Sequence, residues 1–207
     1  MLENIKWLGQ SGFKINSAAG KTIYLDPYKI PVASPKADYI FITHSHYDHF
    51  SAENVAKIRG ENTQIFCPGE VASKVGGQVR TVKPGDSFSA GDLKIEVFPA
   101  YNMDKEFHPK ENGWVGYVLE IDGQRIYHAG DTDLIPEMND LKDIDIALLP
   151  VSGTYVMTSE EAIEAAKIIK PKTVIPMHYG DEVGTVSDAM NLKDKVEAEV
   201  IILEKEV

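Results

Sequence analysis

The sequence holds a single cysteine, Cys67, among 207 residues. It can therefore form no disulfide within the chain and no cysteine-based zinc cluster. No apolar run nears the roughly 20 residues that a membrane-spanning helix needs. The N-terminus, Met1-Leu2-Glu3-Asn4-Ile5-Lys6-Trp7, brings in an acid early and lacks the apolar stretch of a signal peptide. Basic residues are in deficit, with 21 Lys and Arg against 32 Asp and Glu, a net charge of −11. Such a surface repels polyanions on average, because nucleic-acid binding relies on Lys and Arg displacing counterions. Low-complexity stretches, tandem repeats and Pro/Gly/Ser-rich linkers are also missing. What is present is ordinary globular composition, 43% hydrophobic and 26% charged. We expect one cytoplasmic domain over residues 1–207, with a sizeable core, no membrane partner, and nucleic acid disfavoured as a partner.

Short apolar segments separated by glycine turns predict strands at 5–8, 13–16 and 22–25. Tyr39-Ile40-Phe41-Ile42-Thr43 is a near-continuous apolar run of strand length, which suits a strand covered on both faces. A helix is expected over 51–59, a strand at 65–67 and a short helical piece over 70–75. Hairpins are expected over 87–99, turning at Ala90-Gly91-Asp92, and over 115–128, turning at Asp122-Gly123. A buried strand follows at 144–149. Thr158 and Glu161 have the spacing of a capping box, opening a helix that runs to Lys170 and stops at Pro171. A strand at 173–176, a helix at 187–196 and a strand at 200–204 complete the chain. Strands and hairpins with interspersed helices thus occur twice over, which two sheets packed face to face with helices outside would satisfy.

Three of the six histidines fall within His44-Ser45-His46-Tyr47-Asp48-His49, directly after the apolar strand. In an extended segment, residues two apart point the same way, so His44 and His46 can face one ion. Asp48 and His49 follow where the chain turns and can reach a neighbouring position. Imidazole and carboxylate donors without thiolate suit zinc, and also manganese, iron or nickel. Asp131 and His178 stand at the ends of two further apolar runs. Each reads alone either as a ligand or as a structural residue. Gly130 would allow the tight turn that aims Asp131 back. His128, inside a strand, reads better as a buried hydrogen-bonded histidine than as a ligand. His108 lies in the polar segment 102–113, where a ligand and a solvated loop histidine are equally compatible with the sequence. Asp26 reads either as an orienting partner for the imidazoles or as a turn residue before Pro27.

These residues resemble the motifs of the metallo-β-lactamase fold. His44-Ser45-His46-Tyr47-Asp48-His49 is similar to its H-x-H-x-D-H signature, Gly130-Asp131-Thr132 to its Gly-Asp-Thr motif, His178 to its final metal histidine, and Leu25-Asp26-Pro27 to an early strand-end motif. The resemblance spans about residues 5–205, and it is strongest to small stand-alone, lactonase-like members. It implies an α/β fold, a four-layer αββα sandwich, with two metal ions. It implies further that His44 and His46 hold the first ion, that Asp48, His49 and His178 hold the second, and that Asp131 bridges both. A third histidine for the first ion is expected after the strand 93–99, where this sequence has Ala100-Tyr101-Asn102. His108 is the substitute we favour, with the Asn102 amide as the alternative.

The expected function is that of a metal-dependent hydrolase, with a metal-activated water attacking an ester, lactone or phosphoester bond of a small-molecule substrate. Two divalent ions, zinc first among them, are the expected cofactors. Asp48 is placed both as a ligand and as the catalytic partner for the nucleophile's proton. Lys105 and Lys110 could meet an anionic substrate, although a solvated charged loop fits them better, and Tyr155 could line a pocket. The alternatives are a small nuclease, which the net charge disfavours, and a non-catalytic metal-binding protein. A di-iron flavoprotein relative is disfavoured because His46 stands where that branch has Glu.

Overall fold

The computed structural model describes Leu2–Glu206. Met1 and Val207, the two ends of the expected domain, lie outside the described residues. The chain falls into two compact units, one running to Val82 and including the C-terminal segment from Leu203, the other Lys83–Ile202. No helix among the described residues is long and apolar enough to cross a membrane.

The first unit contains β1 (Ile5–Gly9), β2 (Gly12–Asn16), β3 (Thr22–Leu25), β4 (Ala37–Phe41), α1 (Ala52–Ile58), β5 (Arg59–Cys67), α2 (Gly69–Ala72) and β6 (Gln78–Thr81). Its sheet follows chain order. The β1–β2 and β2–β3 pairs are antiparallel, and every later pair is parallel. Parallel neighbours need a crossover, which α1 and α2 supply for the last two pairs. Ser51 starts α1 by accepting a hydrogen bond from Asn54 N at 3.2 Å. Val55 and Ile58 of α1 and Val71 of α2 cluster with Tyr24, Ile40, Ile42, Ile65 and Cys67 on one face of the sheet. The alternate residues Ile23, Leu25, Phe41 and Phe66 are equally buried on the other face, with the Phe41 and Phe66 rings stacked at 4.9 Å. That double burial explains the unbroken apolar run. Each such side chain contributes about 1.5–3 kcal/mol when taken from water. At the C-terminus Lys205 bridges Trp7, and Lys14 pairs with Glu206 at 2.7 Å.

The second unit contains β7 (Ser87–Ala90), β8 (Leu93–Pro99), β9 (Val115–Ile121), β10 (Gln124–His128), β11 (Ile146–Pro150), α3 (Ser159–Ile169), β12 (Thr173–Met177), α4 (Val186–Met190) and β13 (Glu199–Val200). Its sheet also follows chain order, antiparallel from β7 to β10 and parallel from β10 to β13. Asp122 and Gly123 both have positive φ (52° and 75°), as a two-residue hairpin between β9 and β10 requires. The capping box is present: Thr158 Oγ1 accepts from Glu161 N at 3.2 Å, and Glu161 Oε2 accepts from Thr158 N at 2.8 Å. Helix α3 lies against β11 and buries Ala162, Ile163, Ala166 and Ile169, a helical spacing.

Three expected elements end three or more residues earlier than the sequence suggests, the first being the helical piece over 70–75, which ends at Ala72. The helix expected over 187–196 ends at Met190. Asp194 sits at φ 63°, which an α-helix cannot contain. The strand expected over 200–204 pairs only at Glu199–Val200. Beyond Ile201, whose N–H donates to Val174 O, the chain leaves β12. Strand β6 was not expected, because its exposed Gln-Val-Arg-Thr pattern carries little apolar signal.

Candidate metal centre

Strands β3 and β4 run parallel and end side by side at Leu25 and Phe41. Ligands of open α/β sheets gather at such carboxyl ends. Asp26 leaves β3 with φ 42° and is fully buried. Beside it runs the segment Thr43–His49, held between β4 and α1, where His46 O accepts hydrogen bonds from His49 N and Phe50 N. Asp26 accepts from Thr43 N at 2.8 Å, from Thr43 Oγ1 at 2.7 Å and from His49 Nδ1 at 2.7 Å. The Thr43 hydroxyl proton is thereby committed, so His44 Nδ1, 2.9 Å from Oγ1, is the donor in that contact. The His44 ring lies 4.7 Å from that of His46 and 4.1 Å from that of His49, centroid to centroid. Asp48 Oδ2 accepts from Gln10 Nε2 at 2.8 Å and lies 3.7 Å from His49 Nε2. Asp26 is therefore bound to the imidazole of His49 and is more than a turn residue.

In the second unit the ends of β10, β11 and β12 carry Asp131, Ser152 and His178. Gly130 takes the positive φ, 65°, of the tight turn before Asp131. His178 is itself at φ 60°, a backbone conformation that costs of order ~1–3 kcal/mol and collects at functional sites. Asp131 Oδ2 is 3.1 Å from His178 Nε2 and 3.3 Å from His108 Nε2. Ser152 Oγ lies 3.0 Å from His178 Nδ1. His108 is buried, 1% exposed, so it is not a solvated loop residue.

The neighbour of His108 is Asn102, whose Oδ1 accepts from His108 N at 2.9 Å and lies 3.1 Å from His108 Nδ1. The Asn102 amide oxygen is thus occupied by His108. Asn102 Nδ2 donates to Asp133 Oδ1 at 3.0 Å and to Tyr155 O at 2.8 Å. Lys105 pairs with Asp133 at 2.5 Å and Lys110 with Glu137 at 2.8 Å, so both lysines have partners within the chain. Burial works against the charge on Lys105, but the hydrogen bond and charge of Asp133 outweigh it and hold Lys105 above the ordinary lysine value. Tyr155 packs edge-on against Phe107 at 4.6 Å. His128 lies fully buried in β10, its Nδ1 accepting from Gly130 N at 3.2 Å, the structural histidine expected of it.

Thr43, Gln10 and Ser152 are hydrogen-bonded neighbours of the candidate ligands that motif reading missed. Thr43 had a signal, since it precedes His44 at a strand end. Gln10 and Ser152 had none, because hydroxyl and amide residues in turns are common.

A model of the beta-lactamase superfamily domain matches residues 4–178. The UPF0173 metal-dependent hydrolase of Pelotomaculum thermopropionicum is 34% identical over 212 residues, covering 94% of this chain and 92% of the relative. The chain belongs to the UPF0173 metal-dependent hydrolases of the beta-lactamase superfamily. It is an enzyme of that hydrolase class. Among solved structures, one from Parabacteroides distasonis superposes with a TM-score of 0.86 at 37% identity, covering 98% of this chain and 93% of the other. Igni18, a metallo hydrolase from Ignicoccus hospitalis, does so with 0.79 at 28%, covering 98% and 95%. The two sheets with few helices are the metallo-β-lactamase fold expected from the motifs.

The side chains suit a metal ion. The donors are imidazoles and carboxylates, a borderline-to-hard set that zinc and other first-row divalent ions accept. His44, His49, His108 and His178 each have Nδ1 engaged by Thr43, Asp26, Asn102 with Tyr155, and Ser152 respectively. Metal-binding histidines are held this way, through the nitrogen that does not face the ion.

Proposed function

We propose that this enzyme hydrolyses an ester, lactone or phosphoester bond of a small-molecule substrate with two divalent ions, zinc first among the candidates. In this reading His44, His46, Asp48, His49, Asp131 and His178, as the family motifs imply, with His108 as the substitute ligand, would be the metal-holding residues. The observation that carries it is the shared engagement of Nδ1 in four of these histidines, the hold that metal-binding imidazoles receive when Nε2 faces the ion. Bound divalent ions supply a water acidic enough to attack near neutral pH and polarise the bond attacked. Asp48, whose Oδ2 accepts from Gln10 Nε2, would take up the proton of the attacking water. Asp26 orients His49 and, through Thr43, His44. A small organic substrate suits the exposed Met103 and Phe107 beside the His108 loop, and the −11 net charge disfavours a polyanion. Both units act as one metallo-β-lactamase-like domain over 1–207, a reading supported by relatives covered over nine-tenths of their length. The unpaired, buried Cys67 fits a reducing cytoplasm.

Elemental analysis after zinc reconstitution, with turnover on panels of aryl esters, lactones and phosphodiesters, tests this reading. Two ions per chain are expected, with His46→Ala and Asp131→Ala folded and inactive. Turnover retained in folded His46→Ala, or no tightly held metal, would overturn it.

A further inference from the structure

Asn102 stands where the family resemblance places a metal-binding histidine, and the structure gives it other work. Its backbone N–H donates to His108 O at 2.8 Å, and its side-chain Oδ1 accepts from His108 N. These two bonds close residues 102–108 into a loop. The amide can sit only one way. The His108 main-chain N–H is a donor and must meet Oδ1, while Nδ2 meets two acceptors, Asp133 Oδ1 and Tyr155 O. His108 Nδ1 then faces Asn102 Oδ1 at 3.1 Å and Tyr155 O at 3.2 Å, both acceptors. A proton must therefore reside on Nδ1, and the ring turns Nε2 to the side of Asp131, whose Oδ2 is 3.3 Å away.

The brace is anchored in turn. Asp133 is 1% exposed and accepts from Asn102 Nδ2, Met103 N and Lys105 Nζ. Asp133 N donates to Tyr101 O, and Thr132 Oγ1 meets the backbone of Tyr101, so the loop is stitched to the segment that carries Asp131. We infer that Asn102 is a positioning residue: it fixes the ring orientation and the Nδ1–H tautomer of His108, so that a histidine six positions further along serves as the metal donor. The inference rests on the reading of His108 as a ligand.

Zinc affinity by chelator competition on the full chain, for wild type, Asn102→Ala, His108→Ala and the double variant, tests it together with long-range ¹⁵N spectra of the histidine rings in metal-free wild type. Loss of a partner of this kind lowers metal affinity about 10–100-fold, and that loss is expected for Asn102→Ala. In the His108→Ala background the same substitution should cost nothing more, because its route runs through His108. His108 should carry a proton on Nδ1 in wild type. Unchanged affinity in Asn102→Ala, fully additive losses, or an Nε2–H tautomer would each overturn the inference. The tautomer is read without any variant, so a poorly folding Asn102→Ala leaves that test standing. Unchanged affinity in His108→Ala would sink the ligand reading itself, whereas a loss in His108→Ala with none in Asn102→Ala would sink only the role of Asn102.

Discussion

Asp26 should separate fold stability from metal affinity. Its carboxylate is fully buried and accepts three hydrogen bonds, from Thr43 N, Thr43 Oγ1 and His49 Nδ1. Asp26→Ala would leave those buried donors without an acceptor, at about 1–3 kcal/mol for each donor that water cannot reach. The backbone at φ 42° adds of order ~1 kcal/mol for a residue other than Gly, Asn or Asp. These terms are not additive, and a total of about 3–5 kcal/mol matches the cost of breaking a buried pair. Asp26→Asn keeps an oxygen for Thr43 N and tolerates the backbone conformation. It places an NH₂ group toward His49 Nδ1, however, which drives the His49 proton to Nε2. Its stability cost should be smaller, about 1–2 kcal/mol, while zinc affinity falls about 10–100-fold. Urea unfolding of chelated protein gives the first quantity, with an unchanged m value as the check. Chelator competition gives the second. A loss below about 1 kcal/mol in Asp26→Ala, or wild-type zinc affinity in Asp26→Asn, would refute the reasoning.

Gly116→Ala should destabilise by about 1–3 kcal/mol, because a Cβ there would lie 2.7 Å from His128 O and 2.8 Å from Ala129 O, backbone atoms at the end of β10. Wild-type urea stability in that variant would show that β9 and β10 can separate more easily than their register implies. Cys67 should resist Ellman's reagent near neutral pH and react at once in urea, since burial pushes its thiol up to about 12. The sign follows: a folded value above the unfolded 9.0 means stability that is whole below about pH 9 and is lost as pH rises through about 12. Labelling of native protein at a rate matching the urea-unfolded chain would contradict this.

The local chemistry of the chain was readable because it is written in neighbouring residues. Asp122-Gly123, the Thr158–Glu161 box and the Tyr39–Thr43 run each specify a turn, a cap or a doubly buried strand without outside help. The helix expected over 187–196 was right only in its first half: apolar spacing there is compatible with a helix throughout, yet α4 ends at Met190 and the positive φ of Asp194 bars its continuation. The candidate ligands were legible because His44, His46, Asp48 and His49 fall within one strand-end segment, and because Asp131 and His178 each close an apolar run.

Their partners were not legible. Nothing local ties Asp26 to His49, Ser152 to His178, or Gln10 to Asp48, pairs separated by 23, 26 and 38 positions. Residue type alone also left Asn102 and His108 as rival ligands, because an amide oxygen and an imidazole are both donors. The sequence by itself determined most of the secondary elements and the kind of ligand atoms available, since those depend on residue type and short spacing. Only the tertiary structure decided which group engages Nδ1 of His44, His49, His108 and His178, and what occupies the Asn102 amide. Those depend on hydrogen-bond partners that parallel strands and a folded-back loop bring together from distant parts of the chain.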